Sequence, residues 1–337
     1  GRDVVKLADG TNDVTLSNVE EVLGGTGNDT VRIATNYATG DKAMLDGGLG
    51  ADILNLAGGG NTIEQVRGFE TINGGSGVDV ISTPWGLDLS GTTLTSIETI
   101  NIDNDISGSE ILLVSSTTSF ASAIAINGTS NNDIIASNDS MNLSNVNLTG
   151  ISQIQIDADS ATANTVVAVL TLGAQVLPAG LSIVGSGDDI IDAAGPSLDL
   201  SGATTTGISQ ISGSASADII IGTAGVDVLF GGQGSDTLTG GGGGDVFKYV
   251  SNTDSGVGAG VRDTLTDFTT TVDQINIAAI VGGGTFAFEA LSTGSVATVQ
   301  ATLNGTLLQF DTTNDGIADM EIDLGGGAIA AGDFVTA

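Results

Sequence analysis

The sequence predicts an all-β protein: a parallel β-solenoid that passes into a β-roll, with about 27 residues per coil, glycine-rich nonapeptide turns and a capping C-terminal β region. Three observations predict it. A nine-residue phrase recurs along the chain, a second phrase keeps step with it, and aliphatic residues alternate with period two in and between them.

The nine-residue phrase fits G-G-x-G-x-D-x-U-x, where U is a large aliphatic residue. It appears as GGTGNDTVR (24–32), GGLGADILN (47–55) and GGSGVDVIS (74–82), then in weaker copies as GTSNNDIIA (128–136) and VGSGDDIID (184–192). Four copies follow in tandem over 213–248: GSASADIII, GTAGVDVLF, GGQGSDTLT and GGGGGDVFK. The second phrase is DLSGTTLTSIETI (88–100), NLSNVNLTGISQI (142–154) and DLSGATTTGISQI (199–211), with looser relatives at 16–22 and 63–72.

Counting one nonapeptide per coil, with half-steps near 101 and 156, gives the unit of about 27 residues, which leaves room for three short strands and three turns. In such a stack Val31, Leu54, Ile81, Ile135, Ile191 and Ile220 form one inward ladder, and Asp29, Asp52, Asp79, Asp133, Asp189 and Asp218 one row. A β-sandwich with glycine-rich loops is the plainer alternative, but nothing in a sandwich demands a fixed repeat length. The expected division is a solenoid over 1–212, a tandem-repeat roll over 213–250, and a C-terminal cap over 251–337.

Charge narrows the function classes. Forty acidic residues, 32 of them Asp, face seven basic ones, for a formal net charge of −33, and no Lys or Arg occurs from 68 to 247. Such a chain repels nucleic acid and bare anionic membrane, and no apolar run is long enough to insert into a bilayer. The absence of Cys and His removes disulfides, thiol nucleophiles, zinc sites of the usual ligands and Ser-His-Asp triads.

The nonapeptide carries its own chemistry. Its glycines allow a turn that aims carbonyl oxygens inward, and the sixth-position Asp adds a carboxylate beside them. A hard, all-oxygen donor set on a flexible loop suits Ca2+ better than Mg2+. Stacked carboxylates repel unless a cation lies between them, so calcium and folding are expected to be coupled. The phrase and its tandem array resemble the RTX (repeats-in-toxin) calcium-binding proteins of Gram-negative bacteria. That resemblance implies a parallel β-roll with two repeats per coil, and Ca2+ held between successive turns by carbonyls and the sixth-position Asp. Carried onto this chain it marks Asp218, Asp227, Asp236 and Asp245, together with the isolated Asp29, Asp52, Asp79, Asp133 and Asp189. Asn131 replaces a family glycine before Asp133, so a plain turn-capping role is open there.

Beyond 248 the phrases GDVFKYVSNTDSG, VRDTLTDF and VDQINIAAI look similar to the C-terminal regions of serralysin-type RTX proteins, where they cap the roll and precede an uncleaved type I secretion signal. The ending AAGDFVTA (330–337) fits such a signal and implies a type I exporter as partner. A further calcium candidate is FDTTNDGIADMEI (310–322), with Asp311 and Asp315 as ligands and Asp319 nearby. It lacks the twelfth-position Glu of an EF-hand, and an exposed acidic hairpin is the other reading.

A paired-carboxylate glycosidase would have to use Asp103 with Asp105 or Asp188 with Asp189, but only 4% of residues are aromatic and Trp85 is the sole tryptophan available for sugar stacking. None of the glycine-rich loops has the Walker Lys directly after its last glycine that a phosphate cradle requires. The expected role is therefore non-catalytic: a secreted, calcium-dependent, self-assembling structural protein of the Gram-negative cell surface, resembling RTX-type surface-layer (S-layer) subunits. Its expected partners are copies of itself and cell-surface polysaccharide or lipopolysaccharide. The alternative is the C-terminal calcium-folding and secretion region of a larger RTX adhesin or exoenzyme.

Overall fold

Short strands with one buried residue at their centre make up nearly all of the regular structure, as the period-two alternation predicts. The computed structural model describes residues 1–102, 110–128, 132–156, 167–291 and 299–337. The chain divides into two compact units, residues 1–170 with 175–186, and residues 171–174 with 187–337.

The first unit is a parallel β-solenoid. From residue 62 onward its coils place short strands in turn on three faces, so each strand pairs with its counterpart one coil away. One face stacks Val14, Val31, Leu54, Ile72, Leu94 and Phe120 in register. A second stacks Ile63, Ile81, Ile100, Ile126 and Leu148. The third begins with the strand Gln65–Arg67 and resumes at Leu87–Asp88, after which Leu87, Leu112, Ile135, Ile154 and Ile183 stack. Apart from Val14 these residues are buried, and strands spaced about 4.8 Å apart hold aliphatic on aliphatic with little open volume.

Two sequence expectations need correction. Successive rungs of the first face are 17, 23, 18, 22 and 26 residues apart, not about 27. The nonapeptides also do not hold one face: Val31 and Leu54 share a ladder with Ile72, while Ile81 lies on the second face and Ile135 on the third. The reason is that rungs without a nonapeptide, such as Thr71–Asn73 and Thr99–Ile102, intervene between copies and displace the next copy around the coil.

In the second unit two parallel sheets run through the tandem repeats. Ile220 pairs with Leu238 and Ile211 with Leu229, each 18 residues on, so two nonapeptides complete a coil. The sheets continue past residue 250: Leu238 pairs with Leu265, and Phe247 with Ile275, which in turn pairs with Phe334. An antiparallel meander of Val299–Asn304, Leu307–Asp311 and Met320–Asp323 completes the expected C-terminal β region. No helix among the described residues is long and apolar enough to cross a membrane.

Candidate metal centre

The tandem turns show what the glycines are for. Gly232 has φ 97° and Gly234 φ 143°, values that side-chain-bearing residues rarely adopt. The first glycine of each copy faces a gap lined by oxygens. A Cβ on Gly213 would lie 2.9 Å from Asp218 Oδ2 and against the Gly231 carbonyl oxygen, and Gly222 stands in the same relation to Asp227 and Gly240. A carboxylate of one turn and a carbonyl from the next coil therefore converge on a space with no side chain in it.

The sixth-position aspartates are buried, and they stack. The Asp218 amide donates to Asp236 Oδ1 (2.9 Å), and the Asp236 amide to Asp263 Oδ1 (2.8 Å). On the other sheet the Asp227 amide donates to Asp245 (3.0 Å), and the Asp245 amide to Asp273 (2.9 Å). One carboxylate oxygen of each acceptor is thus committed to the preceding coil; the second oxygen is buried without a hydrogen-bond partner at Asp236 and Asp263, and at Asp273 it accepts the Thr269 amide (2.7 Å).

In the first unit the single expected row is replaced by separate rows on separate faces. One runs from Asn12 through Asp29 and Asp52 to Glu70, with N···O distances of 2.8, 2.7 and 2.5 Å. Another runs from Asn61 through Asp79 to Glu98 at 2.9 and 2.8 Å. On the third face the Glu110 amide donates to Asp133 at 3.3 Å.

Second-position chemistry separates the copies. In the Gly-Ser copy the Ser214 amide and hydroxyl both donate to Asp218 Oδ2, at 2.6 and 2.9 Å, and Thr223 does the same for Asp227 at 2.6 and 2.8 Å. The second oxygens of Asp29, Asp52, Asp79 and Asp236, all in Gly-Gly copies, are buried without a hydrogen-bond partner. A buried, unpartnered carboxylate oxygen is costly unless a cation compensates it. The acidities agree. Burial, with the neighbouring Asp218 and Asp254 charges, raises Asp236 to about 6, and burial with Asp273, Asp227 and Asp267 raises Asp245 to about 6. Asp263 is pushed up to about 8, by burial first and then by Asp236 and Asp254.

The donor set fits calcium. It is all oxygen, it mixes carboxylates with carbonyls, and among the described residues no three acidic side chains form a cluster of their own, so backbone oxygens must complete any coordination shell. Residues 212–247 match the RTX calcium-binding nonapeptide repeat in four copies. This segment is a run of RTX calcium-binding repeats. No curated protein matches it significantly. RTX repeats bind Ca2+ and occur in secreted bacterial proteins, and the RTX β-solenoid is a structural calcium-binding fold. When bound, the ion neutralises buried carboxylates. This chain's own turns would supply the carboxylate and carbonyl oxygens, which the coil-to-coil amide bonds hold in place.

Other expected ligands fall differently. Asp133 keeps the RTX cradle: a Cβ on Gly128 would lie 2.5 Å from Asp133 Oδ2 and 2.8 Å from the Gly150 carbonyl oxygen. Asp189 is buried inside the continuous strand Ser182–Ala193, where no tight turn forms. Its neighbour Asp188 is exposed, and adjacent strand residues face opposite sides, so the two do not form an acid-base pair. Asp103 and Asp105 lie outside the described residues. Asp311 is buried at the start of the hairpin turn. Its Oδ1 accepts the amides of Thr313, Asn314 and Asp315, and its Oδ2 that of Gly316. Asp315 is exposed and caps Ile317, so both carboxylates accept amides of their own turn. Asp263, Asp273, Glu70 and Glu98 occupy the stacked rows but were not anticipated. Their signal was present as the tail of the nonapeptide without its glycines: Asp263-Thr-Leu-Thr, Asp273-Gln-Ile-Asn, and Glu-Thr-Ile-Asn at 70–73 and 98–101.

Proposed function

We propose that this RTX protein is a non-catalytic, calcium-dependent structural protein that assembles outside the cell, as an S-layer subunit or its lattice-forming part on a Gram-negative bacterium. One observation carries the reading: orphaned carboxylate oxygens occur both in the spaced copies, at Asp29, Asp52 and Asp79, and in the tandem block, at Asp236. Calcium thereby acts along the scaffold rather than at one local site, as a load-carrying extracellular element requires. A chain that folds on meeting extracellular calcium also suits export through a type I exporter, followed by association with its own copies and anchoring to cell-surface polysaccharide or lipopolysaccharide.

A second reading, the calcium-folding C-terminal region of a larger RTX adhesin or exoenzyme, draws on Asp263 and Asp273, which carry the stacked rows on into the C-terminal strands. Negative-stain microscopy with millimolar Ca2+ and with chelator tests the choice. Ordered sheets or filaments in calcium alone support assembly; dispersed, folded particles at high protein concentration overturn it in favour of the second reading.

A further inference from the structure

The third face of the first unit is interrupted. Its strand Gln65–Arg67 pairs in register with Met44–Leu49 on one side, while Leu87–Asp88 pairs with Ile111–Leu113 on the other. Between Gln65–Arg67 and Leu87–Asp88 the wall of the solenoid opens into a cavity of about 250 Å³, reaching the buried side chains of Val22, Leu45, Val66 and Leu87. Trp85, the only tryptophan of the chain, lines it and is 61% exposed.

The backbone that carries the indole is held in place there. Thr83 Oγ1 donates to the Trp85 carbonyl (2.7 Å) and accepts the Trp85 amide (3.1 Å), and Thr83 is itself buried. Leaving a large aromatic face in water beside an apolar hollow forgoes burial that a bound ligand would supply. Polar groups line the same cavity. Arg67 grips Asp46 through Nε (2.8 Å) and Nη2 (2.7 Å), and Gln65 and the exposed Asp88 lie beside them. Arg67 uses two of its five N–H donors in that grip and keeps three.

An aromatic face next to an apolar hollow, ringed by a guanidinium, carboxylates and an amide, is the chemistry that recognises a sugar ring. The C–H faces of the ring stack on indole, and its vicinal hydroxyls take paired hydrogen bonds from planar polar groups. A volume somewhat below that of drug-sized sites suits one ring, and a net charge of −33 disfavours an anionic one. We propose that the opening between Gln65–Arg67 and Leu87–Asp88 is a binding site for a neutral saccharide unit, with Trp85 as the stacking platform and Arg67, Asp46 and Asp88 as hydroxyl partners. The site binds without cleaving, and it stands whether or not the protein forms a lattice.

Because Trp85 is the sole tryptophan, indole emission of the calcium-loaded protein reports this site alone. The probes are methyl glycosides of glucose, galactose, mannose and rhamnose, and N-acetylglucosamine. At least one is expected to shift the emission saturably. Arg67→Ala should weaken that sugar roughly tenfold. In calorimetry Trp85→Ala should abolish its binding heat while Trp85→Phe retains most of it; the Phe variant shows that the fold tolerates change there. The proposal is overturned if no sugar in the panel shifts the emission, if Trp85→Ala binds as tightly as the unaltered chain, or if the emission follows protein concentration rather than sugar, which would mark a contact between copies.

Discussion

The main-chain amide of Asp236 donates to the carboxylate of Asp263, 2.8 Å away and 27 residues along the chain, on the next coil. Both residues are buried; burial raises the pKa of each, and the Asp236 charge raises that of Asp263 further. The bond fixes the spacing of two coils while leaving two negative charges close together in a poorly solvated place. Calcium resolves that conflict in the RTX fold, and removing it should expose the conflict.

Replacing Asp263 by Asn keeps an oxygen for the Asp236 amide and removes one of the two charges. In chelator at neutral pH or above the variant should melt several degrees higher than the parent, because a buried carboxyl whose ionisation the fold opposes is gone. In millimolar calcium the order should reverse, since a ligand charge is gone as well. Differential scanning calorimetry under both conditions checks this; a lower melting point in chelator means that the metal-free fold does not oppose ionisation of Asp263.

Without calcium, stability should fall as pH rises. Asp236 and Asp245 lie near 6 and Asp263 near 8 in the folded chain, above the ordinary aspartate value of 3.8. Between about pH 4 and 8 the folded state therefore holds more protons than the unfolded one, and the stabilisation present below pH 4 is lost on titration through 6 and 8. Urea midpoints measured in chelator should be higher at pH 5 than at pH 8, and calcium should narrow the gap by stabilising the ionised form. A midpoint that climbs with pH in chelator refutes the assignment.

Much of this was legible in the residues. The nonapeptide and its period-two aliphatics located the strand, the turn and the buried carboxylate at Asp218, Asp227, Asp236 and Asp245. The coil length was not legible, because rungs such as Thr71–Asn73 carry no glycine signature yet occupy a full coil step. For the same reason Asp79 was expected beneath Asp52, whereas Glu70 stands there. A stacked position needs a short acidic or amide side chain that accepts the next amide. Glu70, Glu98 and Asp263 satisfy that need without the glycines that make a repeat recognisable.

Second-position chemistry should be transferable. Ser214→Gly removes the hydroxyl that donates to Asp218 Oδ2, converting this copy to the Gly-Gly type. The metal-free protein should lose about 1 kcal/mol, the scale of one hydrogen bond. The stabilisation that saturating calcium adds should grow, because one of the two donors that compete with the ion for that oxygen is gone. Chemical denaturation with and without calcium separates the two effects; an unchanged calcium increment would show that the hydroxyl does not compete with the ion.

Phe334 joins the C-terminal residues to the calcium-dependent unit. It pairs in register with Ile275, and its ring lies 4.8 Å from Phe286, 5.4 Å from Phe288 and 6.2 Å from Phe310. The preceding Asp333 is buried and accepts the Thr270 hydroxyl at 2.6 Å and the Thr271 amide at 2.9 Å. Burial alone would raise its pKa, but these bonds and the Ala330 amide hold it below the usual range. The segment resembling a secretion signal is thus part of the folded unit, and its accessibility should depend on whether calcium has folded the chain. Phe334→Ala should cost about 3 kcal/mol in calcium, from the lost ring contacts and the cavity left among three phenylalanines. Asp333→Asn should cost less and act mainly above about pH 4, where the parent carboxylate is ionised. Limited proteolysis near the C-terminus gives the second readout: cleavage should be fast in chelator, slow in calcium, and fast in both for Phe334→Ala. Equal protection of that variant and the parent in calcium would show that the aromatic cluster does not hold the C-terminal strand in place.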